Sequence, residues 1–242
     1  MSVEPDVASI AALIGEPARA SILGALLNGQ AIPAGELAAR AHISPQTASA
    51  HLAKLVEGAI LDVRAVGRRR YYRIANPHVG AALEALAVIA PSPRSRTLGE
   101  SEQVKALRFA RTCYDHLAGT LGVALTDALL DEGMLTRHDE TFEVTERGSL
   151  LLAKWDTQPE RLNRGGRVFA RPCLDWSERR DHLAGALGAA IAATFFARGW
   201  IVRRRSGRAV RLTDEGRRAL QRDLGLALEY DTRYAARITA SA

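Results

Sequence analysis

The amino-terminal part of the chain alternates between short helices with one apolar side and sharp turns. Apolar spacing predicts a helix over residues 17–27, which the turn at Asn28-Gly29 ends, and a short helix over residues 33–40. A third helix begins at Ser44-Pro45, where a serine cap precedes a proline in the first turn, and runs to about Glu57. Its apolar side consists of Ala48, Leu52, Leu55 and Val56. A short helix, a tight turn and a capped helix in this order predict a helix-turn-helix.

The other side of the third helix is polar. Its side chains offer amide, hydroxyl, imidazole and ammonium groups, from Gln46, Thr47, Ser49, His51 and Lys54. Such groups on a helix in the major groove of DNA form hydrogen bonds with base edges. The pattern therefore predicts a helix that reads DNA, although each residue taken alone also fits an ordinary solvated surface.

Two β-rich runs follow the third helix, one over residues 60–64 and one over residues 68–74. Gly67 separates them, so they predict a hairpin, and its tip contains Arg68-Arg69-Arg70. Guanidinium groups on such a ribbon suit phosphates and the narrow minor groove. We therefore expect this hairpin to contact the DNA backbone beside the third helix.

Four stretches of this block follow the order of a known family. They are EPARASIL at residues 16–23, SPQTASAHLAKL at residues 44–55, EGAI at residues 57–60 and GRRRYYRI at residues 67–74. Together they resemble the ArsR-type winged helix-turn-helix repressors, over roughly residues 8–90. The resemblance implies a winged helix-turn-helix fold, with the polar side of the third helix on the operator and the arginines on the wing.

The resemblance assigns DNA contacts residue by residue. Position 50, often a larger polar residue in the family, is Ala50 here. The predicted DNA-binding residues, including the capping serine and one lysine, are Ser44, Gln46, Thr47, Ser49, His51, Lys54, Arg68 and Arg69.

Such repressors usually bind DNA as homodimers through their terminal helices, which would lie here near residues 6–14 and 78–89. The second of these has Val79, Ala82, Leu83, Leu86 and Ile89 on one side. That stripe suits a partner helix, and packing within the monomer is the alternative. We expect a homodimer, because two half-sites one helical turn apart multiply the affinity of a single one.

Many relatives sense metals, but the usual ligands of the family are missing. The helix around residues 36–41 has no cysteine, and the last helix of the block offers only His78 and Glu84. Structural zinc usually takes four ligands. We therefore expect no metal at the usual positions of the family, and no cofactor.

A proline-containing segment over residues 90–97 cannot continue a helix and divides the chain. We expect a DNA-binding domain over residues 1–90, a linker over residues 91–104 and a sensing or packing domain over residues 105–242. In the last block, DHLAGTLG at residues 115–122 recurs as DHLAGALG at residues 181–188. Each copy is followed by an apolar stretch, a hairpin and a capped helix start. The predicted fold is therefore mainly α with small β-hairpins: a winged helix-turn-helix followed by duplicated helix–hairpin–helix units.

The repeat predicts one apolar helix in each copy, over residues 117–130 and 183–196. Both cysteines precede these helices in similar settings, ARTCYD and ARPCLD. A nearby arginine favours a thiolate, which binds metals or reacts with oxidants. With the repeated histidines, the cysteines would complete a two-Cys, two-His site.

Three interpretations of these residues stay open. They are buried core residues and helix caps, or the lining of a small-molecule pocket, or a metal or redox switch. The candidate effector-binding residues are Cys113, His116, Cys173, Asp175, Trp176 and His182, and we assign no metal ligand among them.

Composition excludes several classes of protein. The chain has 242 residues, of which 47% are hydrophobic and 25% charged, which is typical of a globular protein and not of a disordered one. Two cysteines exclude a disulfide framework. The first residues lack the pattern of a signal peptide, and no apolar run reaches the ~20 residues that span a bilayer. We expect a cytoplasmic protein without a membrane partner.

Charge points to nucleic acid. The chain has 33 Lys+Arg against 27 Asp+Glu, and basic residues concentrate over residues 37–74 and 198–222. We expect a ligand-responsive repressor that binds double-stranded DNA at a palindromic operator, with a small molecule as a possible effector. The alternatives are a tandem DNA reader or architectural protein that also uses the Arg203-Arg204-Arg205 hairpin, and a cysteine-based metal or redox sensor. The motifs of phosphate loops, serine hydrolases and zinc proteases are missing, so we do not expect an enzyme.

Overall fold

The structure is a computed structural model and describes residues 4–91, 98–158, 168–204 and 207–228. The chain divides into two units, Met1–Ala90 with Thr112–Asp115 and Pro91–Arg111 with His116–Ala242. The hairpin that begins at Arg111 is taken with the second unit, because its two strands pair with each other and Arg111 forms a β-bridge with Ala209.

The first unit consists of helices around a small antiparallel sheet. Its helices are α1 (Val7–Ile14), α2 (Pro17–Leu26), α3 (Ala34–Arg40), α4 (Pro45–Glu57) and α5 (Pro77–Ile89). Its strands are β1 (Ile32–Pro33), β2 (Leu61–Val66) and β3 (Arg69–Ile74), in the order β1-β3-β2. This is a winged helix-turn-helix, as the sequence predicted, and the predicted helices end within a residue or two of the observed ones. The short strand β1 was not predicted.

Local side-chain caps explain where three of these helices begin. Ser44 Oγ accepts a hydrogen bond from Thr47 N at 3.1 Å, and Asn76 Oδ1 accepts one from His78 N at 3.0 Å. Glu16 Oε2 caps α2 by accepting from Arg19 N at 2.8 Å. Each of the three helices has a proline in its first turn, where the missing N–H has no cost.

The apolar side of α4 is anchored in the core of this unit. Leu52 and Leu55 are fully buried there, while Val56 is half-buried. They pack with residues from α2, α3 and both long strands, among them Ile22, Leu26, Leu37, Leu61, Tyr72 and Ile74. Because one side of α4 is held in this way, its polar side faces outward.

The second unit repeats one order of elements, hairpin, helix, hairpin, helix, after an opening helix α6 (Leu98–Phe109). The first series is β4 (Arg111–Cys113), β5 (His116–Ala118), α7 (Thr120–Asp131), β6 (Leu135–His138), β7 (Thr141–Val144) and α8 (Glu146–Lys154). The second is β8 (Arg171–Leu174), β9 (Asp181–Ala184), α9 (Gly185–Ala197), β10 (Ile201–Arg203), β11 (Val210–Leu212) and α10 (Asp214–Leu224). Each hairpin is a separate two-stranded antiparallel sheet.

The apolar helices of the two series begin later than predicted. Leu117 and Leu183, expected as their first residues, lie in strands β5 and β9 instead. Gly119 and Gly185 follow these strands with φ of 78° and 86°, a conformation that glycine adopts without strain and that turns the chain into the helix. The Asp-His pairs of the repeat therefore do not cap helices. Of the predicted linker, residues 98–104 belong to α6 and residues 92–97 lie outside the described residues.

Aromatic side chains fill the core of the second unit. Trp155, Phe195 and Trp200 pack edge to face, with ring centroids 5.1 to 5.7 Å apart. Around them lie leucines of α7, α9 and α10, including Leu125, Leu187 and Leu220. The second unit thus has its own hydrophobic core, which supports the hairpins β4–β5 and β8–β9.

None of the helices in the described part of the chain is, on its own, long and apolar enough to cross a bilayer. The bent pair of α1 and α2, which meet at 86°, passes such a test by length and composition alone.

Candidate functional site

The polar side of α4 is open to solvent. Gln46, Thr47, Ser49 and Lys54 are exposed, whereas Ala48, between them in the sequence, is buried. The hydroxyl of Ser44 lies 2.9 Å from Thr47 Oγ1, and Ser49 Oγ donates to Pro45 O at 2.9 Å. The first turn of α4 is therefore held by its own side chains, which gives Gln46 and Ser49 a fixed helix from which to project.

His51 differs from the other predicted contacts. Its ring is half-buried, with Nδ1 3.6 Å from Glu16 Oε2 and 3.4 Å from Arg19 Nη1. Hydrogen bonds from the backbone N–H groups of Arg19 and Ala18 lower the pKa of Glu16, which favours the carboxylate that caps α2. The structure thus places His51 against the start of α2 rather than among the exposed residues of α4.

The wing is a regular hairpin with an exposed basic tip. Val66 pairs with Arg69, and Gly67, with φ of 59°, forms the turn with Arg68. The three arginines at positions 68–70 are all exposed. Further down the hairpin, Arg73 is paired with Asp62 at 3.0 Å.

The wing and α4 line one open cleft of about 920 Å³. Ser49 and Ala53 contribute from α4, and Arg68, Arg69 and Arg70 contribute from the wing. Glu36 also lines this cleft, but it forms an ion pair with Arg40. The arginines and Ser49 of α4 therefore face a common space, which Glu57 at the end of α4 also lines. A helix and a basic hairpin on one space are the arrangement that suits a DNA duplex. Arg70 was in the predicted basic tip but not among the predicted contacts.

The terminal helices of the first unit expose apolar side chains. Val7 of α1 is 69% exposed and Ile89 of α5 is 80% exposed. Leu86 is exposed as well, whereas Val79 and Leu83 pack against the core of the unit. The stripe predicted on α5 is thus divided, and Leu86 and Ile89 in its carboxyl-terminal half are exposed.

The second unit gathers two cysteines and two histidines from its hairpins β4–β5 and β8–β9. One ligand atom each from Cys113, His116, Cys173 and His182 lies within 4.8 Å of all the others. Cys173 and His182 are directly opposite each other in β8 and β9, and Cys113 and His116 flank the turn between β4 and β5. All are buried except Cys173, which is half-buried.

Asp175 and Trp176, the other two candidate effector residues, lie beside this cluster. Asp175 Oδ2 is 3.2 Å from His182 Nδ1 and 2.9 Å from Arg111 Nη2, and these three side chains are at most 1% exposed. Arg111 also stacks on the ring of Trp176, 4.3 Å from its centroid. Burial alone would raise the pKa of Asp175, but the bond to His182 and the charge of Arg111 outweigh it and hold this pKa well below its usual value.

The residue that sequence reasoning missed here is Arg111. The sequence shows Arg111 two residues before Cys113, but it does not show that the partner of Arg111 is Asp175, a carboxylate of the other series. The equivalent Arg171 does something else, because its Nη1 donates to the carbonyl of Pro172. Nothing in the local sequence distinguishes the two arginines.

Comparisons with known proteins agree with the helix-turn-helix fold of the first unit. The family described as "Helix-turn-helix domain" matches residues 14–64. YdfF of Bacillus subtilis (strain 168), an uncharacterised HTH-type transcriptional regulator, is 45% identical over 226 residues, which are 93% of this chain and 100% of that protein.

Solved structures give shorter matches. NolR from Sinorhizobium fredii is 24% identical, with a TM-score of 0.34, over 38% of this chain and 99% of that one. The homodimeric winged helix-turn-helix domain of Mb0332 from Mycobacterium bovis, described as a possible ArsR-family regulator, is 28% identical, with a TM-score of 0.32, over 37% of this chain and 89% of that one.

The fold and the exposed basic cleft define a DNA-binding regulator of the winged helix-turn-helix class. The similarity to YdfF extends over both units, so the chain belongs to the HTH-type transcriptional regulators. The prediction of a DNA-binding transcriptional regulator is thus confirmed, and the element order of the first unit is the one that the ArsR-type resemblance implies.

Proposed function

We propose that this protein is a ligand-responsive transcriptional repressor that binds a palindromic operator as a homodimer in the cytoplasm. The observation that carries the proposal is the cleft in which Ser49 of α4 and the wing arginines face the same space. A helix in the major groove and a basic ribbon on the adjacent backbone need that arrangement.

The contacts divide into two kinds. Gln46 and Ser49 read base edges, because an exposed amide and hydroxyl on a groove helix discriminate between bases. Arg68 and Arg69 bind phosphates, and so does Lys54, which adds affinity for any sequence. Ser44 and Thr47 fix the start of the helix.

His51 has a positioning role in this proposal. Its contacts with Glu16 and Arg19 hold the start of α2 against α4. It therefore supports the angle of the reading helix and does not itself contact a base.

The dimer forms through α1 and α5. Their exposed apolar residues include Val7, Ile10, Leu86 and Ile89. Burial of such side chains between two copies is favourable by about 25 cal/mol per Å² of apolar surface. Two copies related by a twofold axis present two reading helices, which is why the operator is palindromic.

We assign DNA binding to residues 1–90, a linker to residues 91–104 and effector response to residues 105–242, built from duplicated helix–hairpin–helix units. The effector binds more tightly to a dimer whose reading helices are wrongly spaced, and so lowers the affinity for the operator.

Several arginines of the basic stretch over residues 198–222 make contacts within the second unit, which favours a role in packing over a role in DNA binding. Arg198 donates to the carbonyl of Trp155, Arg203 stacks on Phe196, and Arg222 is bound to Asp223. We therefore assign the operator contacts to the first unit alone. The alternative, a tandem reader that also binds DNA through the basic hairpin of the second unit, is distinguished by the following test.

The test begins with selection of an operator from random duplex DNA by the full chain. The double variant Arg68→Ala/Arg69→Ala is then compared with Arg147→Ala/Arg180→Ala, which removes the same charge from exposed arginines of the second unit. We expect the wing variant to bind all sequences more weakly and to lower the slope of log K against log salt by about 2, near 1 for each phosphate contact. The control keeps the affinity and slope of the unaltered chain.

Equal binding by both double variants would overturn the assignment of the wing. A further double variant of the basic hairpin β10–β11, Arg204→Ala/Arg211→Ala, should keep the slope of the unaltered chain, and a lower slope in it would favour the tandem reader. A chain that selects no sequence from the pool would overturn the proposed function itself.

A further inference from the structure

We propose that Cys113, His116, Cys173 and His182 form a binding site for one Zn²⁺ ion in the second unit. The site is independent of the proposed repressor function, because it rests only on the two paired hairpins and their neighbours. It lies on none of the helices where the ArsR-type resemblance would put a metal.

The first argument is distance. Zn–S bonds of about 2.3 Å and Zn–N bonds of about 2.0 Å put the ligand atoms of a tetrahedral site roughly 3.3 to 3.8 Å apart. The four ligand atoms here lie within 4.8 Å of one another. Small rotations of the side chains close that difference, and the backbone pairing of Cys173 with His182 already fixes two of the four.

The second argument is the orientation of His182. Its Nδ1 faces Asp175 Oδ2 at 3.2 Å, so that Nε2 is the atom left for a metal. Among the described residues, Nε2 is buried without a hydrogen-bond partner. A buried polar atom without a partner is costly, and a carboxylate behind a histidine is the usual support of a zinc ligand.

Asp175 is itself held in place. Its Oδ2 accepts from Gly119 N at 2.6 Å, and its Oδ1 accepts from Ser177 N at 2.8 Å. Arg111 neutralises its charge at 2.9 Å. The carboxylate that orients His182 therefore has no freedom to turn away.

The third argument is charge. Zinc binds cysteine as thiolate, so two thiolates and Zn²⁺ make a neutral centre with two neutral imidazoles. The neighbouring Arg111 and Asp175 cancel each other. A neutral centre suits a place where three of the four ligands are buried, and the half-buried Cys173 offers the route by which the ion enters.

The fourth argument is that the histidine of each series packs against the helix of the other series. A Cβ added to Gly122 of α7 would lie 3.5 Å from the Cβ of His182, and one added to Gly188 of α9 would lie 3.2 Å from that of His116. A glycine in each helix thus leaves room for the histidine of the other series. The His116 and His182 rings meet with centroids 5.1 Å apart. The repeated DHLAGxLG motif therefore supplies both the ligand and the space for its counterpart.

The ligand set selects the ion. Two sulfur and two nitrogen donors in tetrahedral reach favour Zn²⁺, whereas Mg²⁺ and Ca²⁺ prefer oxygen ligands. A small molecule or a disulfide between the cysteines are the competing uses of the same residues.

The experiment uses the full chain, reduced, stripped of metal with a chelator and kept anaerobic. Titration with Co²⁺ replaces the spectroscopically silent Zn²⁺. We expect one equivalent to produce a thiolate-to-cobalt charge-transfer band and the intense visible bands of tetrahedral cobalt, and one equivalent of Zn²⁺ to abolish both. Elemental analysis of protein purified without chelator should give one zinc per chain.

Variants separate the ligands from the fold. Cys113→Ser and Cys173→Ser should each weaken Co²⁺ binding by more than about 100-fold, since even the residues that only support a ligand give 10- to 100-fold losses. His138→Gln removes an exposed imidazole of β6 and should change nothing. His116→Cys keeps four ligands with a third thiolate, so it should still bind Co²⁺ and show a stronger charge-transfer band per ion.

Some results would overturn the zinc site. They are a reduced chain that gives no charge-transfer band, or a double variant Cys113→Ser/Cys173→Ser that binds Co²⁺ as tightly as the unaltered chain. A Cys113–Cys173 disulfide in protein purified without reductant, combined with no metal uptake after reduction, would assign a redox pair instead.

Discussion

The two units use polar side chains in opposite ways. In the first unit, Gln46, Ser49 and the wing arginines are exposed, and Ser49 and the arginines line an open cleft. In the second unit, Asp175, Arg111 and His182 are almost completely removed from solvent and bound to one another. The first arrangement leaves hydrogen-bonding groups for a large partner, and the second encloses them around a small one.

This difference has an energetic consequence. Exposed polar groups form hydrogen bonds with water whether the chain is folded or unfolded, so they contribute little to the free energy of folding. They are therefore available for recognition. Buried charges must be paired, and loss of one partner is severe because the other stays buried. Substitutions of polar residues should therefore affect DNA binding in the first unit and stability in the second.

The largest effect should follow from Asp175→Asn. The change keeps the shape of the side chain but leaves the buried guanidinium of Arg111 without its counter-charge, so the free energy of unfolding should fall by about 3–5 kcal/mol. Denaturant unfolding followed by far-UV circular dichroism measures it in both variants, because both units contain helices. The control is Asp62→Asn, which removes the partner of the exposed Arg73 and should cost less than about 1 kcal/mol. Similar losses in both variants would contradict the contrast between the units.

A smaller effect on stability is expected at Asp223 of α10, and it depends on pH. Burial would raise the pKa of Asp223, but hydrogen bonds from Arg222, Lys154 and Trp155 outweigh it and lower this pKa to about 2, from an ordinary 3.8. Because the folded pKa is the lower one, the stabilisation is complete above pH 3.8 and is lost as the pH falls toward 2.

Asp223→Asn should therefore lower the free energy of unfolding by about 1.5–3 kcal/mol at neutral pH, the usual contribution of hydrogen bonds to a charged group. The variant should also lose less stability than the unaltered chain between pH 4 and pH 2. Asp214→Asn removes a carboxylate that is 86% exposed and serves as the control. An acid transition that is the same in all three proteins would contradict the role of Asp223.

Much of the first unit was predictable because its signals are local. The start of α4 depends on Ser44 and Pro45, and the wing turn depends on Gly67, so a few neighbouring residues determine each. The partners of His51 were not predictable in this way, because helical position gives only the side from which a residue projects. Its contacts with Glu16 and Arg19 depend on how α2 crosses α4.

The second unit was harder because its decisive contacts are distant in sequence. Strand β5 is only three residues long and buried on both sides, so it lacks the alternation that marks a strand, and Leu117 fits the apolar pattern of the helix that follows. The two histidines and two cysteines were recognised as a set. Their approach, however, requires two separate hairpins to pack against each other, which no local pattern encodes.

A cap in the first unit should have an effect of about 1 kcal/mol. Ser44→Ala removes the oxygen that accepts from Thr47 N at the start of α4, and such losses usually lie near that value. Ser21→Ala in α2 is the matched control, because its hydroxyl only bonds back to Pro17 O and alanine is a better helix former. Thermal unfolding that ranks Ser21→Ala below Ser44→Ala would contradict the cap.

The smallest effect on stability should come from Gln46→Ala, because Gln46 is exposed on the polar side of α4. The free energy of unfolding should change by less than about 0.5 kcal/mol. Binding to the selected operator should nevertheless weaken by about 1–3 kcal/mol, and the loss should disappear on operators altered at the one base pair that Gln46 reads. Gln221→Ala, the same change on an exposed position of α10, should alter neither quantity. If Gln46→Ala instead weakened all sequences equally, Gln46 would be a phosphate contact, and the division of the DNA contacts between a base-reading helix and a phosphate-binding wing would be wrong.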